Sequence, residues 1–307
     1  MISERAKIYS ADSLTFTAKE IASRNEPKKI LMASPEFFDI IDVKNAHMEG
    51  QTGKLNKSLA IQQWNELKKV YESLAQKGIL ESVHVIPGAH GCEDMVFAAN
   101  QTFPWITSEN KKVVVVSKMK HPSRQREVPH FEKFFHEQNY SLIHLARTQL
   151  FEGMGDTIPH PGKQLLYGGY GHRSDISAYE EISEVLNVPI IPLKLVDDRF
   201  YHLDTCFVPL NEDSVMLYPE AFSKEGMEVI KKIFANVYAI PLEEASGNFA
   251  LNAHAIQNEK GRVAILQKGS PETVKVLKKS GFEVVEVDTS EYMKSGGSVF
   301  CMKMMFY

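Results

Sequence analysis

Short apolar runs alternate with helix-patterned segments along the whole of this 307-residue chain. That alternation points to an α/β protein. Residues 113–117 (VVVVS) are β-branched almost throughout and read as a buried strand. Residues 59–80 carry Leu59, Trp64, Leu67, Val70, Tyr71 and Leu74 at helical spacing. Residues 83–86 return to strand and are closed by Pro87-Gly88. The alternation continues with a helix at 129–138 and a strand at 140–145, then a strand at 164–168 and a helix at 177–186. Strands are expected at 190–195, 205–210 and 215–218, and a helix at 224–234. Beyond these come a strand at 262–266, a helix at 271–280 stopped by Gly281, and strands at 284–287 and 299–306.

The length alone suggests two domains at about 150 residues each. No Pro/Ser-rich linker, charge block or low-complexity segment offers a boundary. Hydrophobic residues are 43% and charged residues 24%, enough for a large core and too apolar for a disordered chain. Lys+Arg total 35 against 39 Asp+Glu, a net charge of −4 that argues against nucleic acid as a partner. Glu4, Arg5 and Lys7 interrupt the N-terminus, and no apolar run approaches bilayer length. A soluble, cytoplasmic protein with no membrane partner is expected. Cys92, Cys206 and Cys301 form no CxxC pair, which argues for a reducing compartment and against a cysteine-zinc site. No histidine pair has the HExxH form. His47, His121, His130, His160 and His172 read as solvated or capping groups, and no metal is expected.

Four clusters place polar residues among apolar flanks. Cys301 follows Gly296-Gly297 and reads either as a small buried hydrophobe or as a nucleophile. As a nucleophile it needs positive charge nearby, which a cationic substrate could supply. His202 and Asp204 lie two apart, so on a strand they share a face. They read as one ligand-facing pair or as a solvated strand face, with Tyr201 and Leu203 opposite them in the core. Glu152 lies in FEGMGD (151–156), which lacks the GxxxxGK[ST] phosphate pattern. Its acids favour a cation, or it is a polar turn. The fourth cluster runs from Cys92 through Asp94 to Asn100; Cys92 stays open and Cys206 reads as core.

In chain order, DMVFAAN (94–100), FEGMGD (151–156), GYGHRS (169–174), RFYHLDTCFVPL (199–210) and the late Gly296-Gly297…Cys301 resemble the guanidino-group-modifying superfamily. The likeness runs from about Ser34 to the C-terminus and is greatest to the arginine dihydrolase branch. It departs at residues 43–48 (VKNAHM), at Glu93 and at Ala98, and 245–256 match only loosely.

The resemblance implies an α/β propeller of five pseudo-fivefold ββαβ units, with residues 1–27 as an N-terminal extension and 28–307 as one catalytic domain. It implies Cys301 as nucleophile, His202 as general acid/base, Glu152 as its acidic partner and Asp204 as the carboxylate gripping a guanidinium. Asp94 and Asn100 share a substrate-binding motif; deiminases hold a second aspartate where Asn100 stands, and the dihydrolase branch holds asparagine. Arg124 and Arg173 match positions for the substrate carboxylate. Neither metal nor organic cofactor is implied, and the partner is a small guanidino compound. The activity expected is hydrolysis of arginine, as a deiminase or dihydrolase. The alternatives are dimethylarginine hydrolysis, amidine transfer, and a non-catalytic binding relative.

Overall fold

The computed structural model describes residues 7–307. The first six residues of the expected N-terminal extension lie outside them. Strands β1 (Lys29–Ala33) and β2 (Ser82–Ile86) are parallel neighbours joined through helix α1 (Lys57–Gln76). Asn56 caps that helix by accepting from the Leu59 N–H, and Trp64, Leu67, Tyr71 and Leu74 form its buried face. The next four units each run strand, strand, helix, strand. Strands β3 (Thr102–Ile106), β4 (Lys112–Val116) and β5 (Ser141–His144) make one sheet, with α2 (Pro122–Gln125) and α3 (Val128–Glu137) crossing between β4 and β5. After a turn of helix α4 (Gly153–Asp156) come β6 (Thr157–Pro159), β7 (Leu166–Tyr170), α5 (Ile176–Leu186) and β8 (Ile190–Lys194). The fourth unit has β9 (Phe207–Asn211), β10 (Ser214–Leu217), α6 (Lys224–Ile233) and β11 (Asn236–Ala239). The fifth has β12 (His254–Asn258), β13 (Gly261–Gln267), α7 (Pro271–Lys279) and β14 (Glu283–Val287).

In every one of these sheets the first strand is antiparallel to the second and the second parallel to the third. The first sheet obtains its missing inner strand from the far end of the chain. After α8 (Ser290–Met293), strand β15 (Met304–Phe306) pairs antiparallel with β1, Lys29 opposite Phe306. Five three-stranded sheets result, an α/β propeller closed by its last strand.

The closure is well buried. Met304 and Phe306 are fully buried, and the Phe306 ring meets Phe134, Phe135 and His84. Removing residues 304–307 deletes that strand and those side chains, each worth about 1.5–3 kcal/mol. A loss in Tm on the order of 10 °C is expected by calorimetry.

Residues 7–27 run over the propeller surface. The Tyr9 N–H donates to Ile190 O, and the Arg24 guanidinium is buried between Lys163 O, the Tyr307 hydroxyl and the Trp105 ring. Among the described residues no helix is long and apolar enough to cross a membrane.

Three local expectations are corrected. Residues 202–205 do not form a strand: His202 is extended and Leu203–Thr205 is a 3₁₀ turn. The turn is held because Thr205 Oγ1 donates to His202 O at 2.6 Å and Asp156 Oδ1 accepts the Leu203 N–H at 3.1 Å. The last strand is only Met304–Phe306, since residues 298–303 turn, with the Met302 N–H donating to Ser298 O. His160 is neither solvated nor capping; it is fully buried, bonded to the Tyr167 hydroxyl and stacked on Phe234.

Candidate active site

Each unit contributes to the site from the segment just before its first strand. Asn100 precedes β3, Glu152 precedes β6, His202 and Asp204 precede β9, Asn252 precedes β12, and Cys301 precedes β15. Residues far apart in sequence therefore meet at one end of the ring.

Cys301 Sγ lies 3.1 Å from Asp204 Oδ2 and 3.1 Å from Asn252 Nδ2. Asn252 Oδ1 accepts the backbone N–H groups of Ser298 and Cys301, so one asparagine shapes the turn and orients the thiol. Gly296 makes the approach feasible at φ +87, where a side chain would be strained and would strike Asn45. Burial pushes the Cys301 thiol well above its ordinary range, and Asp204 adds to the effect. Burial likewise raises the Asp204 carboxyl to about 7. Its other oxygen, Oδ1, is buried without a partner among the described residues.

His202 Nε2 donates to Glu152 Oε2 at 2.7 Å. That bond fixes the tautomer and leaves the Nδ1 lone pair towards Asn100 Nδ2, 3.5 Å away. Burial lowers the imidazole to about 4 despite the carboxylate. Burial works to raise Glu152, but Arg173 at 3.1 Å and His202 outweigh it and hold the carboxyl well below the usual range. Packing here is tight: a Cβ on Gly155 would overlap Asn100 Nδ2.

A small cavity of about 10 Å³ is lined by Asp94, Asn100, Arg124, Arg173, Tyr201 and Cys301, among others. Tyr201, expected in the core, instead faces this cavity, with its hydroxyl on Gly296 O and its ring under Arg173. Leu203 is core, as are Cys206 and Cys92. The two arginines expected to be open for a carboxylate are largely engaged. Arg124 binds Glu127, Asn100 Oδ1 and backbone oxygens, and Arg173 binds Glu152 and Lys44 O. Asp94 is paired with Lys44 Nζ at 3.0 Å and accepts from Ser295. Lys44 also bonds Glu93 at 3.0 Å, so two departures from the family motifs face each other as an ion pair.

Sequence reading missed Asn252, Tyr201 and Lys44. A signal for Asn252 existed. The intervals between residues 100, 152, 202, 252 and 301 are 52, 50, 50 and 49, one propeller unit each.

A closed five-unit α/β propeller with cysteine, histidine and carboxylates gathered at one end of its ring defines the guanidino-modifying class. Within that class, the chain belongs to the family described as N,N dimethylarginine dimethylhydrolase, eukaryotic, whose model matches residues 34–307. It is 33% identical over 277 residues to the bifunctional arginine dihydrolase/ornithine cyclodeaminase ArgZ of Synechocystis, covering 90% of this chain and 37% of that protein. The chain thus spans little more than a third of that relative's length. It is 31% identical to the N(G),N(G)-dimethylarginine dimethylaminohydrolase of Mycobacterium tuberculosis, covering 89% and 84% of the two chains. Among solved structures, the N-terminal domain of ArgZ bound to substrate, a cyanobacterial arginine dihydrolase, superposes with a TM-score of 0.82. It is 31% identical, with 90% and 97% of the two chains covered.

Proposed function

We propose that this chain hydrolyses the guanidino group of arginine through a covalent thiouronium on Cys301, with residues 28–307 as the catalytic unit and 1–27 as an extension. The observation that carries the reading is Asp204. One oxygen holds the nucleophile at 3.1 Å, and the other is buried and unpartnered. A guanidinium is always protonated and offers donors in a planar fork, so it supplies the partner that Oδ1 lacks.

The substrate's charge also activates the site. With Asp204 near 7 and the thiol raised, the free site is close to neutral. A bound cation favours the ionised forms of both. The thiol proton passes to His202 Nδ1, and Sγ bonds to the guanidino carbon. The C–N bond breaks, and the imidazolium returns its proton to the departing ammonia. His202 then takes a proton from water, whose oxygen adds to the thiouronium carbon. Cleavage of the C–S bond restores the thiol and leaves citrulline. Glu152 holds the imidazole and offsets its transient charge. For arginine to enter, the wall formed by Lys44, Asn45, Met48 and Ser295 parts, breaking contacts such as Asn45 Nδ2 to Ser295 O at 3.1 Å.

Asn100 supports a second round. Its Oδ1 is occupied by Arg124, so it turns its N–H donors towards the site. A donor suits the neutral ureido oxygen of citrulline, which an aspartate would repel. Arginine is therefore expected to yield ornithine, carbon dioxide and two ammonia, measured by amino-acid chromatography and an ammonia assay. Accumulation of citrulline with one ammonia reduces the reading to a deiminase. Dimethylamine released from dimethylarginine at a higher kcat/KM would favour the alternative that the family description and the mycobacterial relative support. A reducing cytoplasm suits the proposal, since all three cysteines are free thiols.

A further inference from the structure

A cavity of about 340 Å³ lies apart from the candidate active site. It lies along the same inner strands, past the cysteine, and its wall includes Ile158, Phe207, Ile256 and Met305. Phe300 and Lys303, which flank Cys301 in sequence, belong to that wall too. A volume of this size is at the low end of small-molecule pockets.

Its charged groups differ in what they already bind. Glu26 pairs with Arg24, Glu212 with Lys163, and Lys28 with Glu259. Arg262 donates to Ser280 O, and His254 Nδ1 meets the Tyr71 hydroxyl. Lys303 is different. It is fully buried, and its Nζ has no hydrogen-bond partner among the described residues; it rests 3.1 Å from the centre of the Phe300 ring. A buried amine without an acceptor is costly, and such a group marks a place where an acceptor belongs.

We infer that this cavity is a second ligand site, taking a small monocarboxylate with an apolar body: its carboxylate on Lys303, its body against Phe207, Ile256 and Met305. A dianion is disfavoured by Glu26 and Glu212 at the wall, and a purely polar ion by the apolar lining. Burial draws the Lys303 ammonium down to about 7, opposed by Asp204 and Cys301 on the active-site side. His254, the other titratable group near it, is held neutral by burial and by Lys303 itself. The bound anion therefore requires Lys303 to take up a proton. Lys303 would then report occupancy of the cavity to Asp204 and Cys301. The inference concerns binding and does not depend on the reaction proposed above.

The test is titration calorimetry of the full chain with benzoate, with benzyl alcohol as the uncharged counterpart. One equivalent of benzoate is expected to bind at least tenfold more tightly than benzyl alcohol. Affinity should weaken by about tenfold per pH unit above pH 7, as one proton is lost from Lys303. Lys303→Met removes the ammonium, and Ala255→Trp fills the apolar part without touching it; each should cost at least tenfold in affinity. No heat with benzoate overturns the inference. So does binding that survives both variants and is displaced by arginine, which would place benzoate at Arg124 and Arg173 instead.

Discussion

Cys301→Ser is expected to lower kcat for arginine by at least about 10⁴-fold while leaving Tm within about 2 °C of the parent. A serine hydroxyl is isosteric enough to keep the bonds from Asn252 and to Asp204, so the turn at 298–303 should stand. What it lacks is acidity. A thiol, even one raised by burial, can be ionised by a neighbouring cation, whereas a hydroxyl has no comparable route at neutral pH. In this site the neutral His202 imidazole takes the thiol proton once a bound cation favours the thiolate, a transfer that the far less acidic hydroxyl resists. The loss should therefore appear in kcat and persist when arginine is saturating.

Asp204→Asn is expected to lower kcat/KM for arginine by about 10³-fold, because it leaves a buried guanidinium without its counter-charge. The same substitution should stabilise the free protein. The native Asp204 carboxyl holds its proton to about pH 7, while the unfolded chain gives it up near 3.8. Between those values the native state binds the additional proton, so stability falls as pH rises and stays reduced above 7. An uncharged asparagine removes that penalty, a few kcal/mol at most. Tm should rise by several degrees at about pH 8 and by less at about pH 5, read by calorimetry. A parallel consequence in the parent enzyme is an acid limb of kcat/KM near pH 7, where Asp204 titrates. A limb near pH 4, where His202 titrates, would assign the limiting ionisation to the imidazole instead. A destabilised, still active Asp204→Asn variant would remove Asp204 from the role given to it.

The regular elements were legible where local chemistry decides them. The valines at 113–116 became β4, buried from Val113 onward. The apolar spacing after Asn56 became α1. The ring closure was not legible, because pairing of Lys29 with Phe306 joins residues from opposite ends of the chain and no local pattern encodes a partner. At 202–205 the alternation of His202 and Asp204 imitates a strand, yet the bonds from Thr205 and Asp156 bend the backbone into a turn. The identities of Cys301, His202, Glu152 and Asp204 came through resemblance, and the structure gathers all four before the inner strands. Their surroundings did not come through. That Arg124 would spend its donors on Glu127 and Asn100, or that Lys303 would be buried without a partner, depends on contacts between units.

The most direct test of a cysteine-linked guanidino hydrolase is mass spectrometry of the protein quenched in acid during turnover of arginine. The result expected is an increment equal to arginine less one ammonia, carried on the peptide containing Cys301 and absent from Cys301→Ser. An increment on any other peptide, or turnover during which Cys301 stays fully open to alkylation, would contradict the assignment.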